Sequence, residues 1–133
     1  MLAFCGDRDL AQEGTQEAFT RAYSRWRRLR KDESVVGWII TTAINHTKRS
    51  FRRRKGDMEL PAPDSDPSGD RLDVARALLA LPTRQRQAVV LFHIADQPIG
   101  AVAELMGISE GPVKSHLDRA RKSLRSALEV KHV

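Results

Sequence analysis

Residues 56–73, GDMELPAPDSDPSGDRLD, interrupt the chain more forcefully than any other stretch. Three prolines lie among glycine, serine and aspartate, and six acids (Asp57, Glu59, Asp64, Asp66, Asp70, Asp73) stand against one base, Arg71. Such a segment has too little apolar surface to offset the entropy lost in ordering it. The reading is a flexible acidic linker over 56–72, with a helical segment before it (1–55) and another after it (73–133). In a chain of 133 residues each segment can build only a modest core. No alternating apolar pattern marks a strand, so the expected fold class is all-α, with two small helical domains.

The charge is as uneven as the composition. From Arg21 to Lys55 there are twelve lysines and arginines against Asp32 and Glu33, and the whole chain carries a net charge of +6. That excess favours polyanionic partners, nucleic acid or an anionic lipid surface, without choosing between them. A single cysteine, Cys5, excludes an intramolecular disulfide, and no Cys/His spacing suggests structural zinc. No run approaches roughly 18 apolar residues, and the apolar start is too short for a signal peptide, so no membrane insertion is expected. The four histidines are scattered and the glycines form no phosphate-cradling loop. No catalytic residue, cofactor or metal is expected, and the chain reads as a non-enzyme.

The C-terminal segment reads as short helices in succession. Pro82 separates Leu78 and Leu81 from Val89, Val90 and Leu91, with Thr83 placed to cap the following helix. In QPIGAVAELMG, Ile99, Val102, Ala103 and Met106 recur at helical spacing, and Gly107 supplies the left-handed residue that ends a helix. Ser109 is then a good N-cap and Pro112 falls in the first turn, where its missing amide costs little. Val113, Leu117, Ala120, Leu124 and Leu128 make one apolar stripe on the last helix. Lys114, Ser115, Asp118, Arg119 and Lys122 are left facing outward. Two helices joined through a glycine turn, the second basic on its exposed face, suit a helix-turn-helix whose second helix enters the major groove. A plain basic amphipathic helix with a solvated face fits the same pattern.

The run LPTRQRQAVVLFHIADQPIGAVAELMGISEGPVKSHLDRARKSL resembles region 4 of bacterial sigma factors of the extracytoplasmic-function family. Its Leu-Pro before a Gln-Arg helix, its Val-Ala-Glu-Leu-x-Gly helix and its Val-Lys-Ser-x-Leu-x-Arg-Ala-Arg helix stand in the family's order. GDRDLAQEGTQEAFTRAYSRWRRL and GWIITTAINHTKRSFRRRK are similar to region 2 of the same family. The resemblance implies a factor that binds core RNA polymerase at the β′ clamp and the β flap, directs it to promoter DNA and initiates transcription in the cytoplasm. An anti-sigma protein is a further implied partner.

The resemblance also implies roles for residues. On a helix read from Asp7 to Leu29, Ala18, Phe19, Ala22, Trp26 and Leu29 serve packing, while Glu13, Gln16 and Glu17 share another face and correspond to clamp contacts. An ordinary solvated acidic face is the plainer reading of those three. On a helix over about 36–53, Arg49, Arg52 and Arg53 offer a phosphate platform. The loop from Lys31 to Val35 and Asn45 correspond to the family's minus-ten contacts. Asn45 inside a helix suits either a base edge or a buried helix-helix bond, and Trp38 is assigned to packing. The recognition residues are Lys114, Ser115, Asp118, Arg119 and Lys122, on the minus-thirty-five element.

Four departures stand out. The chain opens on what looks like the tail of the family's first region 2 helix, which is then largely missing. Gly14 occupies a position where the family has a bulky apolar residue. Pro112 replaces a usual threonine, and Ala101 stands where glutamate is common. A truncated sigma-like interaction module, binding polymerase or an anti-sigma factor with little initiation, is the alternative, and a stand-alone helix-turn-helix regulator a third reading.

Overall fold

A computed structural model describes residues 1–31, 35–53 and 69–129. Among them there is no strand; the elements are α1 (Leu2–Cys5), α2 (Arg8–Ser24), α3 (Trp26–Leu29), α4 (Val35–Arg53), α5 (Gly69–Leu79), α6 (Thr83–Val89), α7 (Ile99–Met106) and α8 (Glu110–Glu129). Most of the stretch read as linker, and part of the loop from Lys31 to Val35, lie outside the described residues. Helix α5 begins at Gly69, within the stretch 56–72.

Local chemistry explains most boundaries. Asp7 accepts from the amides of Asp9 and Leu10 at 2.9 and 3.2 Å, a cap worth about 0.5–2 kcal/mol. The helix expected to run from Asp7 to Leu29 is divided at Arg25, whose φ of −113° and ψ of 14° leave the helical region. Pro82 precedes α6, but Thr83 is the first residue of the helix and makes no cap; its expected capping role is not realised. Helix α6 continues without interruption into one π turn, Val90–Ile94, closed by the Ala95 amide on the Val90 carbonyl at 2.9 Å. Gly107, at φ 70°, closes α7 in a Schellman motif: its amide donates to Glu104 and that of Ile108 to Ala103. Pro112 falls in the first turn of α8.

Helices α2 and α4 form the N-terminal unit and α5–α8 the C-terminal one, yet their cores are not separate. Phe4, Cys5, Leu10, Ala11 and Ile44 pack with Val90 from the other half. Ala88, Leu91, Val102, Ala103, Met106 and Val113 make the helix-turn-helix core, against which Ile40 of α4 lies. Leu78, Leu81, Val89 and Ala120 make a third cluster, with Ala3 upon it.

Polar bonds join the halves as well. Arg86 donates to the Phe4 carbonyl at 2.6 Å with its guanidinium 5.0 Å from the Phe4 ring centroid, and Lys48 donates to Gln87 Oε1 at 2.7 Å.

Two packing expectations are corrected. Ala18, Ala22 and Leu29 are buried, but Phe19 is 57% exposed and Trp26 49%, because α2 meets α4 through its small residues. Trp38 is half-buried and belongs to none of the three clusters.

Candidate nucleic-acid and protein interfaces

Helix α8 is built with two faces. Val113 and Ala120 are fully buried, and Leu117 and Leu124 pack beside them. At 100° per residue, Lys114, Ser115, Asp118, Arg119 and Lys122 occupy an arc of roughly 140° on the opposite side. Lys114, Ser115 and Arg119 are exposed. Asp118 is instead engaged within the helix, accepting from Arg121 at 2.9 Å and pairing with Lys122 at 3.2 Å. Those hydrogen bonds, from Lys122 first and then Arg121, hold its carboxyl below the usual aspartate value. The available donors on this face are therefore Lys114, Ser115 and Arg119, positioned by the Gly107 turn.

A second basic surface lies on α4. Arg21, Thr42, Asn45, Lys48, Arg49 and Arg52 line a groove of about 370 Å³. Asn45 is exposed and makes no side-chain hydrogen bond among the described residues, which removes the buried helix-helix bond and leaves its amide facing solvent. Arg49 and Arg52 share its wall; Arg53 is exposed at the last helical position and does not line the groove. Arg21 and Lys48 were missed by the sequence reading. Lys48 stands three residues after Asn45, a spacing that places both on one helical face and could have flagged it. Arg21 comes from another helix.

The acidic face of α2 has the opposite chemistry. Glu17 accepts from Arg21 Nε at 2.9 Å and Glu13 Oε1 meets His46 Nε2 at 3.1 Å. Gln16 is exposed. Pairs this open to solvent are worth about 0–1 kcal/mol and exchange readily for intermolecular ones.

Comparison with known families agrees in both halves. Residues 1–56 match Sigma-70 region 2 and residues 71–124 match Sigma-70, region 4. The RNA polymerase sigma-E factor of Streptomyces antibioticus is 32% identical over 130 residues, which cover 91% of this chain and 72% of the relative. The chain belongs to the extracytoplasmic-function family of sigma factors.

The ECF RNA polymerase sigma factor SigM of Mycobacterium tuberculosis is 33% identical over 125 residues, 89% of this chain. The aligned part is 64% of that relative's length, so the chain spans under two thirds of it. A solved structure of the sigma factor RpoE in complex with the anti-sigma factor NepR from Bartonella quintana superposes with a TM-score of 0.86 over 97% of this chain and 87% of that one. At 22% identity this likeness shows the fold. The region 4 match runs from the first turn of α5 to Leu124 of α8 and includes the Gly107 turn and the exposed basic face; the region 2 match spans α1–α4, with both the acidic face and the groove around Asn45.

No helix among the described residues is long and apolar enough to cross a membrane, and none of their Asp, Glu, His or Cys side chains cluster in a metal-holding group of three.

Proposed function

We propose that this sigma factor binds core RNA polymerase through the α2 face bearing Glu13, Gln16 and Glu17, and reads promoter DNA through two basic surfaces. It acts in the cytoplasm and is not itself an enzyme. The observation that carries the reading is the division of exposed chemistry: acidic and amide groups on α2, cations around an unbonded Asn45 on α4, and Lys114, Ser115 and Arg119 on α8.

On α8, Arg119 can donate two hydrogen bonds to a guanine edge while Lys114 and Ser115 hold phosphates or base edges. On α4, Arg49, Arg52 and Arg53 neutralise backbone phosphates and release counterions, and Asn45 offers a donor and an acceptor to an unstacked base. The α2 carboxylates repel phosphate but pair with basic protein residues, which suits the β′ clamp. The β flap would receive region 4.

Run-off transcription with purified core enzyme tests this. The chain should direct initiation, and Arg119→Ala should cost about 1–3 kcal/mol of binding on the cognate minus-thirty-five duplex, with less loss on a scrambled one. Equal losses on both would reduce Arg119 to a phosphate contact. Glu17→Lys should lower core affinity while leaving duplex binding by the same full-length chain unchanged; wild-type core affinity would remove the clamp assignment.

A second reading has its own support. Phe19, Tyr23 and Trp26 project from α2 and α3 at 57%, 88% and 49% exposure, an aromatic row of the sort that marks protein contacts. A sigma-like interaction module that binds polymerase or an anti-sigma factor but initiates poorly would use it. Core binding without run-off product would select that reading.

A further inference from the structure

Where the C-terminal turns of α4 face the start of α6, a cleft of about 410 Å³ opens between the two halves. Its lining includes Lys48 and Arg52 from α4, Arg84 and Arg86 from α6, and no carboxylate. Four cations drawn together across a packed boundary are unfavourable by themselves, and ordinary packing does not explain them.

Each cation except Arg52 is held in place by neutral oxygen. Gln87, 1% exposed, presents one amide oxygen to Lys48 at 2.7 Å and to Arg84 at 3.5 Å. Arg84 also donates to the Met106 carbonyl at 3.1 Å. Arg86 is 7% exposed; it donates to the Phe4 carbonyl, but its Nε is buried and has no partner. None of the four is in an ion pair among the described residues. Burial first, then Arg84, Arg52 and Arg86, push the Lys48 ammonium below its usual value. A cleft of ligand size lined by four cations and no carboxylate has the charge and the room to hold an anion, although the Arg86 Nε itself is sealed from it.

We propose that this cleft binds a phosphate group and that the bound anion ties the two halves together. A phosphate accepts hydrogen bonds from several directions, so one group can be shared by Arg52 and Lys48 on one helix and Arg84 and Arg86 on the other. Its negative charge turns a repulsive boundary into an attractive one, so occupancy stabilises the packed arrangement over any in which α4 and α6 separate. The phosphate comes from a small free polyphosphate or from a nucleic-acid strand. Lys48 and Arg52 also line the α4 groove of the promoter reading, so the proposal is separated from that reading by Arg84 and Arg86, which lie outside both basic surfaces.

Thermal unfolding of the full chain, with sodium pyrophosphate titrated against sodium chloride at matched ionic strength, tests it. The midpoint should rise and saturate with pyrophosphate and stay flat with chloride. Arg84→Gln and the exposed-site Arg52→Gln should each weaken pyrophosphate binding about tenfold, whereas Lys114→Gln on α8 should leave it unchanged. Circular dichroism establishes that each variant is folded, and Arg52→Gln, changing an exposed residue without a hydrogen bond, carries the test if Arg84→Gln does not fold. Adding a single-stranded oligonucleotide without terminal phosphates separates the sources: displacement of pyrophosphate identifies a strand phosphate, and its absence a free one. Identical midpoints in pyrophosphate and chloride would overturn the proposal, as would wild-type pyrophosphate affinity in both Arg84→Gln and Arg52→Gln. Loss of pyrophosphate binding in Arg84→Gln with promoter binding intact would show the two functions to be separate.

Discussion

Helices α2 and α4 meet through glycine, alanine and threonine, whereas α6, α7 and α8 meet through leucine, valine and methionine. In the first seam the backbones come close: a Cβ built at Gly14 would lie 2.8 Å from Thr47 Oγ1 and 3.0 Å from the Ala43 carbonyl. In the second, Leu91, Val102 and Val113 are completely buried and fill the space between the helices with large side chains. The difference teaches where bulk is tolerated. A close seam excludes large side chains and leaves Phe19 and Trp26 on the outside, while the second depends on them. It also accounts for the departure at position 14. Glycine there costs helix propensity of about 1 kcal/mol relative to alanine, but it permits an approach that a side chain would block.

The two seams should therefore break in opposite ways. The largest expected effect is Leu91→Ala, which removes bulk from the second seam and leaves a cavity; urea unfolding should show a loss of about 2–5 kcal/mol. A loss under 1 kcal/mol would mean that the helix-turn-helix collapses around the gap. Next is Gly14→Val, which adds bulk to the close seam and should cost about 1–3 kcal/mol by the same measurement. Unchanged stability would show that α2 and α4 can separate, and the contrast between the seams would fail.

Gly111 sharpens the comparison because it is also a helical glycine but has nothing within 4 Å of a built Cβ. Its φ is not in the left-handed region, so Gly111→Ala meets neither clash nor strain. It should raise stability by about 0.4–1 kcal/mol by restricting the unfolded chain. A loss at Gly111 equal to that at Gly14 would mean that glycine position, not packing, sets the outcome.

How far the sequence carried the argument depended on range. Gly107, Pro112 and the Val113–Leu124 stripe were legible because each reports on its own turn or its own helix face, and the family resemblance rested on such local runs. The exposed face of α8 followed directly, and the structure added that Asp118 is held within the helix by Arg121 and Lys122. Other features had no local signal. Phe19 and Trp26 satisfy the helical period of a buried stripe, yet α4 sits against the alanines instead. The joining of the halves was illegible for the same reason. Lys48 and Gln87 are 39 residues apart, Phe4 and Arg86 are 82 apart, and no periodicity links them. The two expected domains are both present, and what no local pattern signals is that they share hydrophobic clusters. Asn45 shows the intermediate case: sequence left two alternatives, and exposure removes the buried helix-helix bond.

The smallest expected effect concerns His116, which lies on α8 where the helix-turn-helix core meets its exposed basic face. Its Nδ1 is buried without a partner, and burial first, then Arg84 and Arg119, depress its pKa below the usual histidine value of 6.5. A depressed histidine takes up its proton more readily when unfolded. As pH falls through the ordinary histidine range the unfolded chain binds protons first, so stability declines toward acid and is fully present above it. Replacing His116 by Gln should flatten that part of the pH profile while leaving stability at pH 8 nearly unchanged. The close seam supplies the control, because its one histidine, His46, faces Glu13. Equal flattening by His46→Gln would show that the acid sensitivity is not localised at α8. Unfolding midpoints of both variants between pH 5 and pH 8 decide the matter, and a profile in His116→Gln that retains the full acid slope would remove His116 as its source.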